Sequence, residues 1–232
     1  MLYNLEAVRG NIRNREGKRV FFLGKGDQLT SDAKDFLTRQ RIEIRPAETA
    51  RQDTYRLLCG GIIKEKPEHM THLYGDVLVS KTHPRIAFRG AMDNLEAELL
   101  LCQLAVPHRK KELGEVLSLA RNLIRWEVMG EPVEEQQLCG MTAQQLRQHS
   151  HRPQDFYGQP HFMPEAKDGQ AILQLNRTRC AARNAELKAV AAFLDTEGNP
   201  TRPDILQALN RMSSLLYILM IQEKAAGGSG QG

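Results

Sequence analysis

From Pro84 onward the chain changes to leucine-rich helical spacing, which predicts helices over roughly residues 87 to 106, 108 to 129, 142 to 150, 169 to 195 and 203 to 224. Helices of this length are marginal in isolation and gain their stability by burying an apolar stripe against one another. Four long ones with short connections therefore predict a bundle. In the last of them Ile205, Leu209, Met212, Leu216 and Leu219 fall on one stripe and form the core seam. Thr201 followed three residues later by Asp204 reads as a capping box, with Pro203 tolerated in the first turn. The predicted class is mainly α: an up-and-down bundle of about five helices spanning residues 84 to 224, with a small N-terminal α+β module.

That module occupies residues 1 to 46. RVFFL at 19 to 23 reads as a strand, LTSDAKDFLTRQ as a helix begun by a Ser/Asp cap, and IEIRP as a second strand ended by proline. Between 47 and 83 the periodicity is poor and Gly60, Gly61, Pro67 and Gly75 punctuate the chain, so this stretch reads as a connecting, ligand-covering segment. Residues 225 to 232 have linker composition and read as a disordered tail.

Charge and cysteine usage narrow the function class. Lys plus Arg exceed Asp plus Glu by only four in 232 residues, without a long basic run, which argues against a nucleic-acid binder. No apolar run of membrane-spanning length and no signal-peptide pattern occurs, so a cytoplasmic protein is expected. Cys59, Cys102, Cys139 and Cys180 lie far apart, as reduced thiols do, and no disulfide is expected.

The chemistry-bearing feature is a polar face on the fourth predicted helix, residues 169 to 195. In LQLNRTRCAARNAELKAVAAF, Arg179, Arg183 and Glu186 sit at i, i+4 and i+7, so their side chains leave one face. In the next helix Asn210 and Ser214 interrupt an otherwise apolar surface. Such a set is either a solvated, salt-bridged face or an anion site. We read it as an anion site.

Several stretches in order, HMTHLYGDVLVSKTHPRIAFRGAMDNLEAEL, SHRPQDFYGQPHFMPEA, RTRCAARNAE and RPDILQALNRMSSLLYILMI, resemble the cobalamin adenosyltransferases, and within them the ethanolamine-utilisation branch. The resemblance implies an ATP:cob(I)alamin (corrinoid) adenosyltransferase. Such an enzyme transfers the 5′-deoxyadenosyl group of ATP to Co(I), releases triphosphate and makes adenosylcobalamin. Co(I) is itself the nucleophile, so the protein is expected to hold ATP in line with cobalt, stabilise the leaving triphosphate and exclude water. ATP as co-substrate, Mg²⁺ and cobalamin as substrate are implied, with no nucleophilic side chain.

Carried over position by position, Arg179 and Arg183 match the family's helix arginines near the ATP phosphates and ribose, and Glu186 the acid that follows. Asp93 matches an aspartate that pairs with the first helix arginine across a subunit interface, which places Arg179, Arg183 and Asp93 in the catalytic set. Asn210 matches the asparagine of the family's Asn-Arg-Leu-Ser-Asp motif, whose final acid is Ser214 here. Lys81 and Arg85 match a basic phosphate-binding loop, and Thr71 and His72, with Gly75 and Asp76, fall where the wider family's glycine-rich phosphate loop is much shortened. His161, Phe162 and Met163 lie where an aromatic residue sits beneath the corrin, a role assigned to the His161 and Phe162 pair.

Members of the ethanolamine branch carry a His and a Cys-Cys-x-x-Cys motif where this chain reads TYRLLCGGIIKEKP, keeping Cys59 alone. One thiolate cannot make a four-ligand site, so no structural zinc or iron is predicted. The resemblance further implies a homo-oligomer, a trimer ranked ahead of a dimer. A cobalamin reductase and a cobalamin-dependent lyase are the implied partners, and a bacterial microcompartment is one compatible location. The alternative is a non-catalytic cobalamin-binding or docking bundle that serves such a lyase.

Overall fold

A computed structural model describes residues 2 to 15, 17 to 47, 54 to 135 and 137 to 228. The chain divides into two compact units at His83 and Pro84.

In the first unit β1 (Leu2–Tyr3) precedes α1 (Leu5–Gly10) and pairs in parallel with β4 (Gln28–Leu29). β2 (Ile12–Arg15) and β3 (Lys18–Leu23) form an antiparallel pair, and β3 pairs in parallel with β5 (Glu43–Pro46) through the crossover helix α2 (Ser31–Arg39). Val8, Val20, Phe21, Ala33 and Leu37 supply its buried core. The expected Ser/Asp cap on α2 is not what begins that helix: Thr30 is the N-cap, and its side chain makes no capping bond.

The stretch expected to be connecting segment is sheet from residue 55 onward. β6 (Tyr55–Leu57), β7 (Ile62–Ile63), β8 (Met70–Tyr74) and β9 (Val77–Ser80) run in the order β7-β6-β9-β8. Strands of two to five residues are too short to show a period, and the glycines that looked like breaks make the turns. Gly75 has φ +51°, and a Cβ there would stand 1.9 Å from the Asn14 carbonyl oxygen, so only glycine fits where the β8–β9 turn meets β2.

The second unit holds α3 (Pro84–Ala105), a 3-10 turn (Pro107–Arg109), α4 (Lys110–Met129), α5 (Ala143–His151), α6 (Pro153–Tyr157), a 3-10 turn (Ala166–Asp168), α7 (Gly169–Phe193) and α8 (Pro203–Gly228). α6 is one short helix beyond the five expected. α8 runs on past residue 224 into the expected tail, whose last four residues lie outside the described residues. α3 and α7 pack antiparallel, with Phe88 meeting Phe193 edge to face at one end and Glu98 meeting Arg177 at 2.7 Å further along. Ile205, Leu209, Met212, Leu216 and Leu219 are all buried, as the stripe required, and Trp126 sits in the same core. Among the described residues no helix is long and apolar enough to cross a membrane.

The buried Glu127 carboxylate joins the start of α3 to the end of α4. Its two oxygens accept from Arg85 Nε at 2.5 Å and Arg89 Nε at 2.8 Å, while Arg85 also donates to the Glu127 carbonyl. Both lone-pair sets of a carboxylate removed from water are thereby used, which is the condition for tolerating it there.

The capping box expected at Thr201 and Asp204 does not form. Thr201 Oγ1 donates to the Phe193 carbonyl, and Asp204 instead receives Arg202 and the Val133 N–H. The residues serve tertiary contacts: Asp204 pins the segment between α4 and α5. Burial pushes the Asp204 carboxyl up, but the bonds from Arg202 and Val133 outweigh it and hold it at about 2, below its ordinary 3.8. A depressed folded-state value means the stabilisation is complete above the unfolded value and is lost as pH falls from about 4 towards about 2. Hydrogen exchange should show protection of the Val133 amide collapsing in that window, and should show it already weak at neutral pH in Asp204→Asn. Protection unchanged by either would contradict the pinning.

Candidate active site

Where α5, the segment after α6, α7 and α8 meet, they leave a polar cavity of about 360 Å³. Arg179 and Arg183 enter it from α7, Asn210, Ser213, Ser214 and Tyr217 from α8, Ser150 and His151 from the end of α5, and His161 from the segment that follows α6. On α8 the four lining positions are spaced 210, 213, 214 and 217, one helical face beside the apolar seam.

Arg179 donates through Nε at 3.2 Å and Nη2 at 2.9 Å to a single neutral acceptor, Asn176 Oδ1. Its Cζ stands 5.8 Å from the Tyr217 ring centroid. Neither Arg179 nor Arg183 makes an ion pair among the described residues. A salt-bridged face would spend its charges on one another; among the described residues these two guanidiniums do not. Glu186 is turned to a different task, accepting from Asn210 Nδ2 at 2.9 Å and fixing which way that amide points. Ser214 Oγ donates back to the Asn210 carbonyl at 3.0 Å.

His161 is tied at both ring nitrogens. Nδ1 lies 2.8 Å from Tyr217 Oη, and Nε2 lies 3.2 Å from the His151 carbonyl oxygen. Burial pushes the Tyr217 phenol above its ordinary value, although a bond from the Phe162 N–H and the charge of Arg179 work the other way. The structure separates the residues of the corrin-floor expectation: His161 lines the cavity, Phe162 packs against the bundle core with Lys224 Nζ 5.6 Å from its ring centroid, and Met163 is 85% exposed.

Other predicted residues lie elsewhere. Thr71 and His72 are on β8, with the His72 ring 5.6 Å from Tyr55, and Lys81 follows β9, all in the first unit. Burial, then Lys66 and Arg15, push the His72 imidazole below its ordinary value. Asp76 is held by Arg56 through two bonds of 2.9 Å. Arg85, expected at the phosphates, has its guanidinium on Glu127, so its role here is to clamp α3 to α4. Asp93 is exposed on α3 with no bonded partner among the described residues and does not line the cavity. Cys59, Cys102, Cys139 and Cys180 are free thiols, and no three His, Cys, Asp or Glu side chains among the described residues converge as metal ligands.

Sequence reasoning missed Asn176, His151, Ser213 and Tyr217. Tyr217 had a readable signal, since it lies two turns beyond Asn210 on the same face of α8.

Two guanidiniums bordering a polar cavity offer paired donors of the kind that hold carboxylate or phosphate oxygens. Residues 62 to 223 match the family described as cobalamin adenosyltransferase, and the chain belongs to that family. It is 34% identical to the corrinoid adenosyltransferase EutT of Salmonella typhimurium, over 92% of this chain and 89% of that one. To the EutT of Escherichia coli K12 it is also 34% identical, over 71% of this chain and 62% of that one. Among solved structures, a variant PduO-type ATP:corrinoid adenosyltransferase from Lactobacillus reuteri, complexed with cobalamin and ATP, aligns with a TM-score of 0.50 at 15% identity. The alignment covers 78% of this chain and 90% of that one, a likeness of fold.

Proposed function

We propose that the protein transfers the 5′-deoxyadenosyl group of ATP to the Co(I) of a reduced corrinoid and releases triphosphate. The observation that carries this reading is the pair Arg179 and Arg183, two cations without ion-pair partners among the described residues, in a cavity bounded by Asn210, Ser214 and the His161 ring. The cobalt supplies the electron pair that forms the Co–C5′ bond while the C5′–O bond breaks. The leaving triphosphate gains the negative charge, and the two guanidiniums meet it with fixed donors whose dipoles need no reorganisation. Asn210, held by Glu186, presents its amide oxygen as an acceptor for a hydroxyl or amino group of the nucleoside. His161 gives the opposite wall a flat ring for the corrin, with Phe162 and Met163 beside it in the chain.

Mg²⁺ fits as a companion of the phosphates: it needs one or two carboxylates plus phosphate oxygens and water, and Glu186 is the carboxylate bonded to a cavity residue. It would supply charge neutralisation on the triphosphate. Thr71 and His72 keep their proposed phosphate role on the resemblance of HMTHLYGD to the family's phosphate loop, and Lys81 on that of SKTHPR. A single exposed Cys59 in place of a Cys-Cys-x-x-Cys set supports a variant without resident zinc or iron.

Assembly into a homo-oligomer, a trimer before a dimer, draws support from α3. Asp93 there is exposed and without an ion-pair partner among the described residues, and Leu100, Leu101 and Leu104 on the same helix are 45%, 50% and 80% exposed. In that assembly Asp93 of one protomer would meet Arg179 of another. A cobalamin-dependent lyase, a reductase upstream and a microcompartment around both belong to this reading on the resemblance of the sequence to the ethanolamine-utilisation branch alone. Incubation of the protein with ATP, Mg²⁺ and chemically reduced cobalamin should give one triphosphate for each adenosylcobalamin. Tight corrinoid binding with no triphosphate would mean a carrier instead.

A further inference from the structure

We infer that Tyr217 is a positioning residue whose hydroxyl locks the His161–Phe162 segment into the cavity, so that one α8 side chain sets the corrin-facing wall while also bordering Arg179. The inference rests on the proposed adenosyl transfer for its functional part and on geometry alone for the lock.

Two contacts converge on this ring. Its Oη is 2.8 Å from His161 Nδ1, with the two ring planes within 14° and centroids 5.7 Å apart. The His151 carbonyl can only accept, so Nε2 carries the ring proton, and Nδ1 of the neutral imidazole is left to accept from the Tyr217 hydroxyl. Each polar atom of the pair then has one partner and one direction. The second contact is Arg179, whose guanidinium carbon lies 5.8 Å from the ring centroid.

The segment being held has few other ties. Residues 158 to 165 form no helix or strand, and His161 is itself exposed, so little besides these bonds fixes the imidazole. Among the described contacts, its two hydrogen bonds go to Tyr217 and to the end of α5. Because Tyr217 is rooted in the buried α8 seam, between Leu216 and Ile218, it transmits the rigidity of the core to a loop side chain.

Tyr217→Phe separates the hydroxyl from the ring. The phenylalanine keeps the aromatic face near Arg179 and the packing but removes the lock. In the ligand-free protein, the ¹⁵N imidazole signals of His161 should change from one fixed tautomer to an averaged pattern. In turnover, loss of one hydrogen bond of about 0.5 to 1.5 kcal/mol corresponds to a corrinoid KM raised roughly twofold to tenfold. The KM for ATP and the Tm should stay at wild-type values, and in a His161→Ala background the Tyr217→Phe change should add little. Unchanged imidazole signals would overturn the lock. Altered signals with an unchanged corrinoid KM, or equal losses in both KM values together with a lower Tm, would overturn the positioning role. A wild-type protein that shows the fixed tautomer yet forms no adenosylcobalamin would contradict the adenosyl transfer and leave the lock standing.

Discussion

Arg179→Ala is expected to lower turnover by roughly 10²-fold to 10³-fold, the usual loss when a donor aimed at developing charge is removed. The unsubstituted side chain has no carboxylate to neutralise it among the described residues and is held ready by Asn176 and the Tyr217 ring. Truncation therefore strands no buried partner charge, and the fold should survive it. Steady-state rates beside a thermal melt would check this: kcat should fall with the Tm unmoved. Arg179→Lys should recover only part of the rate, since a point charge does not replace a planar, two-pronged donor. Near-normal kcat in Arg179→Ala would remove the arginine from the reaction.

Glu127→Ala should have the largest effect on stability. It leaves Arg85 and Arg89 facing each other across a space that one buried carboxylate had filled. Breaking a fully buried pair costs about 3 to 5 kcal/mol, and because both arginines keep some solvent we place the cost near 2 to 3 kcal/mol. For a chain of this size that is a Tm lower by roughly 5 to 10 °C. Replacing all three residues by apolar ones, Glu127→Leu with Arg85→Met and Arg89→Met, should recover most of the loss, since the desolvation of three charges disappears with them. Arg85→Met alone should likewise lower the Tm and leave the KM for ATP near wild type. A raised ATP KM with an unchanged Tm would return Arg85 to the phosphates.

Long-period features were the legible ones. The stripe through Ile205, Leu209, Met212, Leu216 and Leu219 is buried as its spacing required, and α3, α4, α5, α7 and α8 begin and end within a few residues of the leucine pattern. Strands two to five residues long carry no measurable period, so β6 to β9 were invisible in a glycine-punctuated stretch. Local capping signals misled for a different reason. Thr201 and Asp204 have the spacing of a box, but each is drawn to a partner remote in sequence, Phe193 and Val133.

The site was legible as far as one helix face could carry it. Arg179, Arg183 and Asn210 share a cavity because α7 and α8 pack antiparallel with those faces turned together. Arg85 could not be placed from sequence, since an arginine at the start of a helix looks the same whether it meets a phosphate or a buried glutamate forty-two residues away. The division of labour between His161 and Phe162 likewise depends on Tyr217, which no local pattern ties to that segment.

The central claim is that ATP and a corrinoid meet in the cavity bounded by Arg179, Asn210 and His161. The electron paramagnetic resonance spectrum of the protein with Co(II)cobalamin, recorded with and without ATP, tests it most directly. The account predicts a four-coordinate Co(II) signature that appears only when ATP is present and is lost in Arg179→Ala. A spectrum that ATP leaves unchanged, with the lower ligand still on cobalt, would contradict it.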